Sequence, residues 1–425
     1  MTAPRTPRAS SSALGNRRFR ALLLAVAGVP LLASYLWQTL VGPFLFQPRF
    51  SDQEFVYTAS VAIHSGGDPY AWVAGGYSYG KPVYIYPPLW AWLQQPLLPL
   101  GREGAALALL VILQLCLAGF LVVLYRVLRP VDWQEVALGV ILTAAFLPVF
   151  ANLWSDQVNL VVLLLIGVTA FAYVRGDRWR GGAAYGVAMA LKPLQPGLAL
   201  LLVFGRRTQM FIAAIVLGLL ASLLPGAAHL ERYLLAVFGA ASAATGFRDN
   251  AAPAGFLARL FHPDVFYDGA APADPLLKAL YIAVAVAVVA ISWWRLGRSP
   301  RTDPGGRAAE VAVAVAASPL LLSIAHSFHL VLLLVPILVL LHLGLARADR
   351  LAVGAAAAAW LLVGPIHGAM LSAIGAGFSA DLVLRVWNES QLAGIVVLWL
   401  GSLRELRVRP SSRPAPLSPP LLSTL

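Results

Sequence analysis

"WRGGAAYGVAMALKPLQPGLALLLVFGRR", residues 179–207, decides how the chain is threaded. Arginines stand at both ends and Lys192-Pro193 in the middle. Each apolar half is shorter than the ~20 residues that a helix needs to cross a hydrocarbon layer of ~30 Å. Read as one kinked span, the stretch inverts the orientation of the segments after it. Read as a re-entrant pair of half-helices, 183–204, broken at Lys192-Pro193-Leu194-Gln195-Pro196, it returns both basic ends to one side. Proline removes a helix donor and clashes with the preceding turn, and broken backbone survives at membrane depth only under a cover of protein or water. The hairpin is the preferred reading, because the inversion would put the acidic loop 230–275 on the basic side.

The rest of the chain is apolar enough to make that question matter. Of its 425 residues 59% are hydrophobic and 12% charged, with a mean hydropathy of +0.76, which describes a polytopic membrane protein and not a large soluble core. Spans are expected near 20–41, 105–125, 136–152, 158–174, 209–228, 276–294, 308–325, 329–346, 350–373 and 390–403. The first reads as a signal-anchor, since its apolar run outlasts the ~7–15 residues of a signal-peptide core. A transmembrane domain, 20–404, then lies between two disordered cytoplasmic tails, 1–19 and the Pro/Ser-rich 405–425. The single cysteine, Cys116, lies inside a span, which excludes a disulfide framework and a thiolate metal cluster.

A formal charge of +12 would suit a polyanion partner if it were concentrated in one patch. With the N-terminus in the cytoplasm, however, 22 of the 31 Lys and Arg fall inside, eight outside, and Lys192 within the membrane. That is the positive-inside asymmetry, so no nucleic-acid partner is expected; the partners expected are membrane lipids. The chain shows no Walker-type loop and no dinucleotide fingerprint, so an ATP-driven pump is not expected. Four polar segments reach the outer face: the first outer loop 42–103, "NLWSDQVN" (152–159), the loop 230–275, and "SPLLLSIAHSFH" (318–329). Polar groups converging on one face of a helical bundle build a cavity.

Within these segments each candidate has a structural reading beside a functional one. Asp52, in "RFSDQEFVYTASVAIHSGGDPYAW" (49–72), is either the N-cap of the helix that begins there or a reactive carboxylate. Gly66 through Tyr70 reads as a turn, with Tyr70 and Glu54 as sugar contacts. Tyr84-Ile85-Tyr86-Pro87-Pro88 with Trp90 and Trp92 reads as an interfacial belt. The outer cations Lys81, Arg248 and Arg259, with Asn250, are headgroup contacts or donors to an anionic leaving group. His326 and His329, three apart, share a face if their segment is helical. Gln157 and Asn159 either bond sugar hydroxyls or cap the following span. Lys192, costly at membrane depth unless paired, reads as a packing element of the hairpin. No metal and no cofactor is expected.

Taken in order, "SDQEFVYTASVAIHSGGDPYAW", "YIYPPLWAWLQQPLLPLG", "SDQVNLVVLLL", "ALKPLQPGLALLLVFGRR", "DNAAPAGFLARL" and "SPLLLSIAHSFHLVLLLVP" resemble glycosyltransferase family 87, polyprenyl-phosphate-dependent mannosyltransferases of the GT-C class. The resemblance covers roughly residues 50 to 340. It implies an all-α, GT-C-type helical bundle of about ten spans plus the re-entrant hairpin, with a catalytic first outer loop. It also implies an inverting transfer from a polyprenyl-phosphate-linked sugar donor to a glycolipid or glycan acceptor, at the outer face of the cell membrane. Asp52 then stands at the general-base position, and Arg259, His329, His326, Asn250 and Lys81 are the donor-phosphate and sugar contacts. Topology points to the same donor class: nucleotide sugars are made in the cytoplasm, and an enzyme working outside needs an activated sugar already across the bilayer. The competing reading is a secondary transporter or lipid flippase, for which Lys192-Pro193 at a broken helix would be a suitable feature.

Overall fold

The computed structural model describes residues 17–45, 52–75, 83–241, 245–268, 274–297, 301–377 and 381–407. Lys81 and the tails 1–16 and 408–425 lie outside the described residues. Among the described residues every regular element is helical, with one isolated antiparallel pairing between Asn250 and His326. The principal helices of the first half are α1 (Arg17–Leu36), α2 (Gln53–His64), α3 (Pro88–Leu93), α4 (Gly101–Leu128), α5 (Trp133–Ala144), α6 (Leu147–Trp154), α7 (Asn159–Arg175), α8 (Arg178–Leu191), α9 (Pro196–Phe204) and α10 (Thr208–Leu223). Those of the second are α11 (Pro253–Phe261), α12 (Pro275–Leu296), α13 (Pro304–Leu321), α14 (Leu334–Arg347), α15 (Arg350–Leu361) and α16 (Ser390–Glu405).

Among the described residues five helical stretches are long and apolar enough to cross a membrane: Leu24–Val41, Gln95–Leu128, Pro275–Leu296, Ser327–Arg347 and Arg350–Gly375. The number rises to seven if two bent pairs, α5 with α6 at 52° and α10 with Ala227–Val237 at 108°, each count as one. The ten spans expected from sequence are therefore not reached by length and composition among the described residues. Helix α13 is built of alanine and valine, and Ala308 through Leu320 are buried without interruption. A helix enclosed by protein on all sides is selected for small residues and close approach, not for lipid-facing hydropathy. Helices α7 and α16, with 17 and 16 residues, fall short on length.

Helices α8 and α10 show the same small-residue principle. A Cβ added at Gly182 would lie 2.6 Å from the Met210 carbonyl oxygen, and one at Gly186 would lie 2.3 Å from that of Ala214. As the number rises along α8 the partner's number rises along α10, so the two run parallel. The chain must therefore turn back between them, and it does so through α9 after the break at Lys192–Gln195.

The two ends of the bundle differ. At one, turns between helices are short and four of the following helices are capped by an aspartate: Asp132 accepts from the Glu135 N–H at 3.0 Å, Asp177 from Arg180 at 3.2 Å, Asp303 from Gly306 at 2.7 Å and Asp349 from Leu351 at 3.0 Å. Arginines crowd this end. At the other end the connections are longer and carry the polar segments. Helices α4 and α7, and the stretch Ser327–Arg347, all start at the polar end and finish at the basic one. At ~1.5 Å per residue, α4 alone separates the two by about 42 Å.

Candidate active site

Asp52 immediately precedes α2, and its carbonyl accepts the N–H groups of Phe55 and Val56, both at 3.2 Å. Its carboxylate makes no cap contact. Oδ2 instead accepts the Tyr86 hydroxyl at 3.0 Å and the side-chain amide of Gln157. The Tyr86 hydroxyl also lies 2.9 Å from Gln157 Oε1, and its single proton serves one of the two acceptors at a time. Lys192 Nζ donates to the same Oε1 at 3.1 Å and sits 4.6 Å above the Tyr86 ring and 5.1 Å from the centre of the Phe328 ring. A carboxylate and an ammonium are thus joined through one amide, whose N and O ends are fixed by the charges they face.

Local sequence places Tyr86. Gly66 adopts φ +76°, Asp68 Oδ1 accepts the Tyr70 N–H at 2.8 Å, and the fully buried Tyr70 hydroxyl donates to the Tyr86 carbonyl at 2.8 Å. The Gly-Gly-Asp-Pro-Tyr turn is therefore a prop beneath Tyr86, and Tyr70 is sealed against Tyr84, whose ring centre lies 5.7 Å away. Burial, and next the charge of Asp52, hold the Tyr86 phenol well above its ordinary value, so it remains a donor.

Asp156 adds a second carboxyl. It sits in the turn between α6 and α7 at φ +51°, a conformation that aspartate tolerates better than most residues. It is 1% exposed, and neither oxygen has a hydrogen-bond partner among the described residues. Burial, and then the nearby charge of Asp52, push it up to about 9, so it is a protonated acid at neutral pH.

Just beyond this turn, Asn159 and Asn152 bond each other at 2.9 Å, and both donate to the Phe328 carbonyl, at 3.3 and 2.7 Å. They pin the 3-10 turn Ser327–Leu333, which carries His329. His329 Nδ1 accepts the His326 N–H at 3.1 Å, so in the neutral ring Nε2 carries the proton.

A second polar cluster adjoins the first at this turn. Asn250 spends both side-chain N–H groups on the Thr245 and Ser323 carbonyls, at 2.8 and 3.1 Å, and its oxygen accepts from Ala252 and Ala325, at 3.1 and 2.9 Å. Arg259 grips Glu389 with two bonds, at 2.8 and 2.9 Å, and gives its remaining Nη1 to the carbonyls of Gly246, Phe247 and Asn250. Asp249 accepts from Ser327 Oγ and lies 3.4 Å from His326 Nδ1. Its burial would raise its pKa, but the bonds from His326 and Ser327 bring it below the ordinary carboxylate value.

The structure thus gathers Asp52 and Gln157, with Asn159 and His329 arrayed around Phe328. It leaves Glu54 at the surface, 3.4 Å from Arg102. Asn250 and Arg259 are occupied by protein partners. Sequence reading gave Tyr86 a belt role, Lys192 a packing role and Asp156 none; all three lay inside motifs already quoted. The available signal was Lys192, since an ionisable group at membrane depth calls for a partner.

The sequence model of glycosyltransferase family 87 matches residues 84–323, more than half of the chain. The chain belongs to glycosyltransferase family 87. No curated relative and no solved structure matches it. Membership in family 87 makes this a membrane glycosyltransferase. The matched residues include Tyr86, Asp156, Gln157, Lys192, Asn250 and Arg259, while Asp52 lies before the matched span and His326 and His329 just after it.

Proposed function

We propose that the enzyme moves a hexose, mannose first among them, from a polyprenyl-phosphate donor to a lipid-linked or cell-envelope glycan acceptor at the outer face of the cell membrane, with inversion. The observation that supports this most is the orientation of the Asp52 carboxylate: it is turned away from its helix and held by Tyr86 and Gln157 beside a buried lysine. In the step, the acceptor oxygen bonds to the anomeric carbon while its proton passes to Asp52, and the bond to the phosphate oxygen breaks with its electron pair. A positioned base contributes ~10²–10⁴-fold to such a transfer. Lys192 and the Nε2–H of His329 are the proposed donors to charge developing on the phosphate. Asp156, neutral and without a protein partner, is a donor for a substrate oxygen. The reading includes a GT-C-type bundle and a re-entrant path through α8 and α9, supported by the parallel run of α8 and α10.

The test supplies labelled polyprenyl-phosphate mannose and a panel of glycolipid acceptors to reconstituted protein. Labelled glycolipid that disappears with Asp52→Ala is the expected result. Sodium- or proton-coupled uptake without product would instead select the transporter reading.

A further inference from the structure

The opposite end of the bundle holds a site that the transfer does not use. A cavity of about 380 Å³ lies where α4 and α7 end and α13 begins, against α14. Its rim carries Arg126, Arg129 and Arg175, its wall includes His342, and no acidic residue lines it. Two carboxylates flank it and both are engaged: Asp303 Oδ2 accepts the Gly306 N–H at 2.7 Å, and Glu135 places Oε1 2.7 Å from His342 Nδ1 and accepts the Val131 N–H on Oε2 at 2.8 Å. The neighbouring arginines are engaged as well. Arg307 bonds the Val174 carbonyl at 2.8 Å, Arg347 pairs with Glu405 at 2.8 Å, and Arg404 with Asp349 at 2.6 Å.

The three rim arginines differ. Among the described residues none of them has a carboxylate or carbonyl partner for its guanidinium, and Arg175 only lies 4.4 Å over the Phe171 ring. Helix α13 also begins at the cavity, with Pro304 and Gly305 in the wall and its first turn capped by Asp303. Guanidinium groups match phosphate oxygens in geometry. The apolar wall of Val127, Leu128, Val174 and Leu343 suits a group that enters from lipid. Ligand cavities run from ~300 to ~1,000 Å³, so this one is of headgroup size.

We propose that this cavity binds a phosphate group, carried by an anionic lipid or free in solution. It lies about 24 Å from the transfer site along α7, which runs from Asn159 beside that site to Arg175 on the cavity rim.

The test uses the full chain in neutral detergent and measures binding of dioctanoyl-phosphatidylglycerol, dioctanoyl-phosphatidylcholine and inorganic phosphate. Wild type should bind phosphatidylglycerol at least about tenfold more tightly than phosphatidylcholine, and R126Q/R129Q/R175Q should lose that margin. The exposed single variants R129Q and R175Q, each with a loss of about threefold, carry the test should the triple variant not fold. Competition by inorganic phosphate assigns the site to the free anion; failure to compete assigns it to the lipid headgroup, and either upholds a phosphate site. Three outcomes overturn it: equal binding of the two lipids, undiminished binding by the arginine variants, or an equal loss in R178Q/R180Q, whose arginines lie outside the cavity.

Discussion

Two polar clusters meet at Ser327–Leu333, and they differ in saturation. Around Asn250 and Arg259, the asparagine makes every hydrogen bond that its side chain offers, and both arms of the guanidinium are filled by protein acceptors. Around Asp52, the carboxyl of Asp156 has no partner among the described residues, and one tyrosine proton is divided between two acceptors. A buried polar network that satisfies itself fixes geometry, whereas one that leaves donors over retains capacity for a substrate. On the proposed function, the satisfied groups serve as scaffold and the unsatisfied ones face the substrate.

Breaking the saturated cluster should cost stability. Arg259→Met leaves Glu389 unpaired and strips three carbonyls, which should lower unfolding free energy by about 3–5 kcal/mol, while turnover per folded molecule stays within about threefold of wild type. A thermal melt paired with an activity count per folded molecule checks it. The open cluster should behave in the opposite way. Lys192→Met should reduce turnover about 100-fold with a melting midpoint near that of the parent; intact turnover would return Lys192 to packing. Tyr86→Phe removes one hydroxyl from Asp52 and should cost about tenfold in kcat, read by steady-state kinetics.

The smallest effect separates the two carboxyls. Asp156 has an ordinary value of 3.8 and one of about 9 in the fold. Stability from this group is therefore whole below the lower value and gone above the upper, since the unfolded chain ionises first as pH rises. Asp156→Asn removes that penalty. Its stability relative to the parent should grow by about 1.4 kcal/mol between pH 7 and pH 8 and level off beyond the upper value. An offset that does not change with pH would contradict the buried, protonated acid.

The sequence made the membrane class, the two-ended charge pattern and the four polar segments legible, because hydropathy and charge placement are properties of short windows. It placed Asp52 and Gln157 as candidates separately. Their contact spans 105 residues, and that from Tyr86 to Gln157 spans 71, so neither follows from local spacing. Tyr86 had a sufficient local account as a belt residue, and Lys192 as part of a broken helix. Arg259 shows the reverse case: its spacing within the motif suggested a phosphate contact, but its partner Glu389 stands 130 residues further along the chain. The span count differed because several expected spans form helices too short or too polar to qualify: α7 has 17 residues, α16 has 16, and α13 carries Arg307 and Glu310.

The most direct test of the account is single-turnover transfer by Asp52→Asn, with labelled polyprenyl-phosphate mannose and a glycolipid acceptor, alongside a melt of the same preparation. The account predicts a fall of about 10³-fold in product formation with an unchanged melting midpoint. Product formation near the wild-type rate by the folded variant would contradict it.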